Sequence, residues 1–514
     1  MAFSFFRKKK MDKNKQKQQP QPQTTQEIKE INLNLTNNPN ENIEIIKQTL
    51  GNSSDITTKP MKLQGVNAQL LFFGTLSDRM DIQRTIDDLM DSSFSLEESL
   101  NFSLKKYEEK DASFNILNDL LAGYAFIFLE GQQLPYSFMA RKHDGRGVEP
   151  PPNESVVRGS HEGFVESLET NTFLLRKNLV TPNLVVKNYQ IGKEAPRPIG
   201  MAYISTIADK KLVQDIENRL NSIEIDTLFS SAYVEAFIED YTVTPFPQTL
   251  KTERVDRAVA NLMEGRIALF CEGSSAAVIL PVSFFAFFQS PDDYNTRFTV
   301  GSFYRLIRYM AFFLAIIMPA FYISIVGFHS EVLPSYLLFL AKQSVEGIPY
   351  RPLIEASIVE IMIELIREAS LRLPTKIGPT IGIVGGLVIG DAIVKAGLVS
   401  NLMVVVVALT AISAYLFPTE EMSLTVRILR FPFMIAASFL GIYGILIASL
   451  ILVGHLCKLQ PFGVPYLSPI APFIGNDIKD TFIRAPILMM NRRPKGSRNI
   501  NTIRERFSRW WKKP

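Results

Sequence analysis

The stretch IVEIMIELIREASLRLPTKIGPTIGIVGGLVIGDAIVKAGLVS, Ile358 to Ser400, runs a helix with carboxylates on one face directly into a Gly-rich apolar segment. Glu360, Glu364 and Glu368 recur at every fourth position and share one stripe, while Ile358, Ile361, Leu365 and Ala369 fall on another. Arg367 and Arg372 follow Glu364 and Glu368 by three and four residues, the spacing at which opposite charges on a helix meet. Two readings fit this stripe: a helix on a membrane surface with solvated charges, or a helix lining an aqueous cavity. Either way the segment belongs to a membrane protein with a polar interior.

Working outward, the chain divides by composition. Mean hydropathy is only +0.09 because a polar N-terminal half and an apolar C-terminal half average out. Residues 1–41, rich in Lys, Gln, Asn, Thr and Pro, read as a disordered basic and polar tail that cannot bury enough apolar surface to fold. A first α/β subdomain is expected over 42–155, and a linker helix with a second α/β subdomain over 156–300. An all-α polytopic membrane domain is expected over 301–480 and a basic tail over 481–514. Uncharged runs at Met310 to Phe328, Ile377 to Ile389, Leu402 to Phe417 and Phe431 to Val453 suggest about four transmembrane helices, set against the roughly 20 apolar residues that span a hydrocarbon core. The carboxylate-bearing helix, 353–373, is added to these. Ile377 to Ile389 reaches full length only with Asp391 and Lys395, which stand four apart and can pair inside a bundle.

Basic residues cluster at both ends, from Arg7 to Lys17 and from Arg492 to Lys513, which places both ends in the cytoplasm and requires an even number of crossings. If the carboxylate helix also crosses, another segment must change its assignment. No apolar targeting core follows Met1, so the α/β region is expected to stay cytoplasmic. With only Cys271 and Cys457 there is no disulfide framework, and the four histidines show no metal-ligand spacing. No metal, cofactor or nucleic acid is expected.

Two segments of the soluble half look like copies of one unit. LLFFGTLSDRMDIQRTIDDL from Leu70 and MAYISTIADKKLVQDIENRL from Met201 align Asp78 with Asp209, Thr75 with Thr206 and Leu89 with Leu220, each reading strand, turn, helix. AFIFLEG, ending at Gly131, and IALFCEG, ending at Gly273, repeat the echo in the same order.

Enzymatic chemistry finds no constellation. Asp292 and Asp293 are adjacent and lack a neighbouring base, so a structural cap at the membrane entry is expected of SPDDY; no Walker-type glycine-lysine pattern occurs.

Several phrases resemble the A subunit of the GerA family of spore germinant receptors: NESVVRGSHEGFVESLETNTFLLRKNL from Asn153, IEIDTLFSSAYVEAFIED from Ile223, TPFPQTLKTERVDRAVANLMEGRIALFCEGS from Thr244, SPDDYNTRF from Ser290, ELIREASLRLPTKIGPTIGIVGGLVIGDAIVKAGLVS from Glu364 and FGVPYLSPIAPF from Phe462. The resemblance covers about Ile43 to Pro494. It implies a place in the spore inner membrane, in a complex with a transporter-like B subunit and a lipoprotein C subunit, triggered by nutrients. It also implies a homo-oligomeric ring that conducts ions, with membrane lipid around it.

On the residues themselves, Glu360, Glu364, Glu368, Arg372, Asp391 and Lys395 are the candidates for an ion pathway. Pro374 is the candidate hinge, and the segment Val404 to Ala411 the candidate constriction. A non-conducting scaffold and a component of a secondary transporter are the competing functions.

Overall fold

The computed structural model describes residues 33–91, 105–107, 112–142, 151, 153–154, 156, 158–372, 386, 388 and 390–504. The chain forms two compact units, Met1–Thr49 with Ile56–Lys142 and Leu50–Asp55 with His143–Pro514.

The first unit holds α1 (Pro39–Thr49), β1 (Ile56–Leu63), β2 (Val66–Phe73), α2 (Arg79–Asp91), β3 (Lys105–Lys106), α3 (Ala112–Leu121), β4 (Tyr124–Leu129) and β5 (Tyr136–Met139). Its five-stranded sheet runs β1-β2-β4-β5-β3 with every pair antiparallel. Alternation along β4 sends Ala125, Ile127 and Leu129 to one face, where they pack with Ile82, Ile86 and Leu89 of α2, and turns the buried Phe126 and Phe128 to the other. Ahead of the expected boundary at Asn42, Leu33 and Leu35 are buried, and α1 starts at Pro39.

The second unit opens with α4 (Leu168–Asn178), β6 (Leu184–Ile191), β7 (Arg197–Ile204), α5 (Lys210–Asn221), α6 (Ser231–Ile238), β8 (Leu250–Thr252), α7 (Val255–Met263), β9 (Ile267–Cys271) and β10 (Ala277–Leu280). Its sheet runs β6-β7-β9-β10-β8, again all antiparallel, which is the strand order of the first sheet repeated. The sequence echoes fall at equivalent places. Asp78 accepts from the Met80 amide before α2, and Asp209 accepts from the Lys211 amide before α5, at 2.8 and 3.0 Å. Gly131 and Gly273, which follow the corresponding strands β4 and β9 of the two sheets, share φ of +85°. The duplication read from the sequence is thus a duplication of topology.

The helical part follows through α8 (Pro291–Asn295), α9 (Phe298–Gly327), α10 (Ser335–Val345), α11 (Pro352–Arg372), α12 (Asn401–Ala414), α13 (Glu420–Leu440) and α14 (Ile442–Lys458). Two of these, α9 and α13, are long and apolar enough to cross a membrane, and α12 and α14 are shorter apolar helices. At 30 and 21 residues, α9 and α13 measure roughly 45 and 31 Å at 1.5 Å per residue. Side-chain contacts fix their directions. The α9 start is tied to the second subdomain by Arg305, and the Glu421 and Thr425 end of α13 is tied to Lys251 and Pro245. Gly441 lies against Phe328 and His329 at the far end of α9. His455 of α14 then returns to Thr244, at 2.8 Å.

That return corrects one expected span. Phe431 to Val453 is two antiparallel helices joined at Gly441, whose φ of +59° and ψ of −137° lie in a region open almost only to glycine. Gly444 permits the hairpin to close, since a Cβ there would collide with the Ala436 carbonyl oxygen. Of the expected run Ile377 to Ile389, most lies outside the described residues.

Candidate functional site

Within the largely apolar interior of the helical bundle lie buried charged residues, Glu355 and Glu360 of α11 and Arg427 and Arg430 of α13. At the far end of α11 Glu355 is fully buried. Its Oε1 accepts from the Ser400 amide at 2.7 Å and the Ser400 hydroxyl at 2.6 Å, and Tyr322 donates to its other oxygen at 3.4 Å. Ser400 is also the N-cap of α12, taking the Met403 amide at 3.1 Å. The Glu355 carboxylate therefore sits at a helix N-terminus, where the aligned peptide dipoles favour an anion. Among the described residues it has no ion-pair partner.

One and a half turns on, Glu360 is buried and pairs with the equally buried Arg430 of α13, while Thr410 of α12 donates to it at 3.2 Å. Glu364, half exposed, pairs with the buried Arg427, one turn before Arg430. Arg367 stacks on the ring of Tyr415 at 4.9 Å. Glu368 and Arg372 form an exposed pair at 2.6 Å, and Asp391 and Lys395 another at 2.7 Å. The geometry thus divides the sequence candidates. Glu360 and Glu364 are neutralised by α13 of the same chain, whereas Glu368, Arg372, Asp391 and Lys395 lie on the bundle surface. Pro374, the expected hinge, lies outside the described residues.

Arg427, Arg430 and Glu355 were not among the candidates. The arginines interrupt SLTVRILRFPFM at positions one helical turn apart, a signal that was present but lay just before the run taken to begin at Phe431. Glu355 gave no such signal, because only the fold brings Ser400 to it. The segment Val404 to Ala411 turns Val406, Val407 and Thr410 into the bundle and leaves Val405 and Leu409 exposed.

A second ionic centre joins these helices to the sheet subdomain. Ser290 and Asp293 form a reciprocal cap on α8, as expected of SPDDY. The fully buried Asp293 also binds Arg305 at 3.3 Å and Arg308 at 2.8 Å, and Arg305 reaches Asp480 at 2.9 Å. Lys251 of β8 bridges Glu235 of α6, at 2.5 Å, and Glu421 of α13, at 2.7 Å. Burial, followed by the charges of Glu235 and Glu421, pushes the neighbouring Glu239 carboxyl up to about 7.

Residues 44–496 match the family described as Bacillus/Clostridium GerA spore germination protein. The chain belongs to the GerA spore germination protein family. Among GerA relatives and other similar proteins, it is 42% identical over 375 residues to an uncharacterized membrane protein, YfkQ, of Bacillus subtilis, covering 73% of each chain. It is 34% identical over 476 residues to spore germination protein KA of the same organism, covering 90% of this chain and 88% of that one. Among solved structures, the N-terminal domain of the A subunit of the Bacillus megaterium spore germinant receptor GerK3 is 29% identical, covering 49% of this chain and 97% of that one, with a TM-score of 0.38. The GerA match runs through both sheets and the helical bundle.

Proposed function

We propose that this GerA protein is the A subunit of a nutrient-responsive germinant receptor in the spore inner membrane. It would act beside a transporter-like B subunit and a lipoprotein C subunit. The observation that carries the reading is the family match over residues 44–496, which takes in both the α/β region and the helical bundle. In this reading the helical bundle crosses the membrane an even number of times, with both chain ends on the cytoplasmic side. Copies of the chain assemble around a gated cation path. Glu368, Arg372, Asp391 and Lys395, exposed on the isolated bundle, face neighbouring copies or water, because charge in hydrocarbon costs about 2.5 to 3.5 kcal/mol each. The Glu360–Arg430 and Glu364–Arg427 pairs tie α11 to α13, and Pro374 follows as the hinge.

A specific observation favours a second reading, a transmitting scaffold without conduction: the two innermost carboxylates of the stripe already carry counter-charges from their own chain. The test has two parts. Spores lacking this chain should lose the response to at least one nutrient while still germinating with another trigger; an unchanged nutrient profile refutes the receptor role. The purified receptor in liposomes should leak monovalent cations when the nutrient is added. A receptor that restores the spore response but gives no such flux supports the scaffold.

A further inference from the structure

Between Lys458, the last residue of α14, and Asp477 the chain reads LQPFGVPYLSPIAPFIGN, with no charged residue, and it folds as a series of short turns. Both ends of this segment are held at one level of the bundle. At the far end of α9, Gly441 brings the end of α13 against Phe328 and His329. The 21 residues of α13, counted back along α9 from Gly327, end at Ile307. At that level Arg305 donates to the Asp480 carbonyl at 2.5 Å and Tyr309 to the Thr481 carbonyl at 2.9 Å. The other end starts directly after α14, where Leu459 accepts from the Tyr466 amide at 3.0 Å. Thr244 and Pro245 bind His455 of α14 and Thr425 of α13, so these two helices finish side by side. The uncharged segment therefore crosses from α14 to α9 along the edge of the bundle that meets the second sheet subdomain.

One side of the segment is anchored in protein. Phe462, Val464 and Tyr466 are buried, and the Tyr466 hydroxyl donates to the Pro247 carbonyl at 2.7 Å. The other side is open, with Ile470 and Phe473 exposed by 42% and 76%. Cations surround it. Arg498 donates to the Gly463 carbonyl at 2.8 Å, the Lys495 amide donates to Asp477 at 2.8 Å, and Lys458 and Lys479 flank the segment in sequence. All four of these basic side chains are exposed, and among the described residues none of them forms an ion pair.

We propose that residues 459–476 form an interfacial wedge for anionic phospholipid, with Ile470 and Phe473 reaching the acyl boundary and Lys458, Lys479, Lys495 and Arg498 facing the headgroups. Water would leave the apolar pair uncovered, and hydrocarbon would leave the cations without counter-charge. The headgroup layer of an anionic leaflet supplies both. The proposal rests on the reading that the helical bundle crosses a membrane, and it adds a lipid preference and the residues that set it.

The test uses the full chain with its only tryptophans, Trp510 and Trp511, changed to Phe. Single reporters are then introduced as Phe473→Trp and, on the exposed face of α14, Leu450→Trp, and the protein is reconstituted in phosphatidylcholine vesicles containing phosphatidylglycerol. Lipid brominated near the headgroup should quench the Phe473→Trp reporter more than lipid brominated near the chain ends. Brominated phosphatidylglycerol should associate with that reporter about fivefold more strongly than brominated phosphatidylcholine, the contribution of one cation near a charged surface. Lys495→Gln combined with Arg498→Gln should bring that ratio to one while leaving the quenching by phosphatidylcholine. Quenching of the Leu450→Trp reporter without quenching at position 473 would overturn the wedge and leave the membrane reading intact, as when a second copy of the chain covers Phe473. Equal association of the two lipids, or a preference that survives the double Gln variant, would overturn the anionic site. Absence of quenching at both positions would overturn the membrane reading and the wedge together.

Discussion

Glu360 and Arg430 are the residues on which the bundle interior turns, because both are buried and each is the other's counter-charge. Removing one partner leaves an uncompensated charge in a low-dielectric interior, a loss of about 3 to 5 kcal/mol. Glu360→Ala should therefore lower unfolding stability in detergent by about that amount, and Glu360→Gln combined with Arg430→Met should recover most of it. Equal losses in the single and double variants would mean that the pair is not coupled. Glu364 provides the contrast, since its half-exposed carboxylate keeps access to solvent. Glu364→Gln should cost less than Glu360→Ala in the same measurement, because it leaves one buried arginine beside a solvent-facing amide. The stripe was legible as a stripe from its four-residue spacing. Which of its members is sealed was not, because α13 lies more than fifty residues away in sequence and spacing carries no information on what packs against it.

Among the elements, the α13–α14 hairpin depends on two glycines for different reasons. Gly441 supplies a backbone conformation that other residues avoid, and Gly444 supplies space beside Ala436. Gly454, on the same helix as Gly444, has nothing within 4 Å of where a Cβ would stand. Gly444→Ala should therefore force the two helices apart and lower the thermal midpoint. Gly454→Ala should leave it unchanged or raise it slightly, as helix propensity favours alanine over glycine by about 1 kcal/mol. A similar response from both variants would discard the close-approach argument. The sequence showed an apolar run of spanning length at Phe431 to Val453 and gave no sign that it folds back. Hydrophobicity reports where a chain is content in lipid, and a single backbone torsion decides whether it continues or reverses.

At the scale of the whole molecule, the sheet subdomain meets the helices through Lys251 and its carboxylates, and this contact is sensitive to pH. The Glu239 carboxyl rises from 4.5 to about 7, first through burial and then through Glu235 and Glu421, against the smaller opposing effects of Lys251 and the Gln248 backbone. A group with a raised folded-state value holds its proton more tightly when folded. Its contribution is complete below about 4.5 and is lost as pH climbs through about 7. The thermal midpoint should fall between about pH 5 and about pH 8, and Glu239→Gln, which cannot ionise, should flatten that slope. A wild-type slope retained in the variant would assign the effect to another group. The same junction makes Lys251→Met a test of coupling. Loss of the nutrient response in spores that keep normal amounts of the protein is the expected outcome, and an unaltered response would show that the bridge transmits nothing.

By itself the sequence determined the two-part architecture, the internal repeat and the family, since period, composition and long local phrases are properties of neighbouring residues. The repeat was visible in Asp78 and Asp209 and in the two Glu-Gly turns because a cap and a turn are made by residues a few positions apart. Only the tertiary structure decided that Glu355 meets Ser400 at the start of α12, and that Glu360 and Glu364 are met by Arg430 and Arg427. The physical reason is that burial and charge pairing are set by which distant segments arrive at the same place, and no local pattern carries that distance.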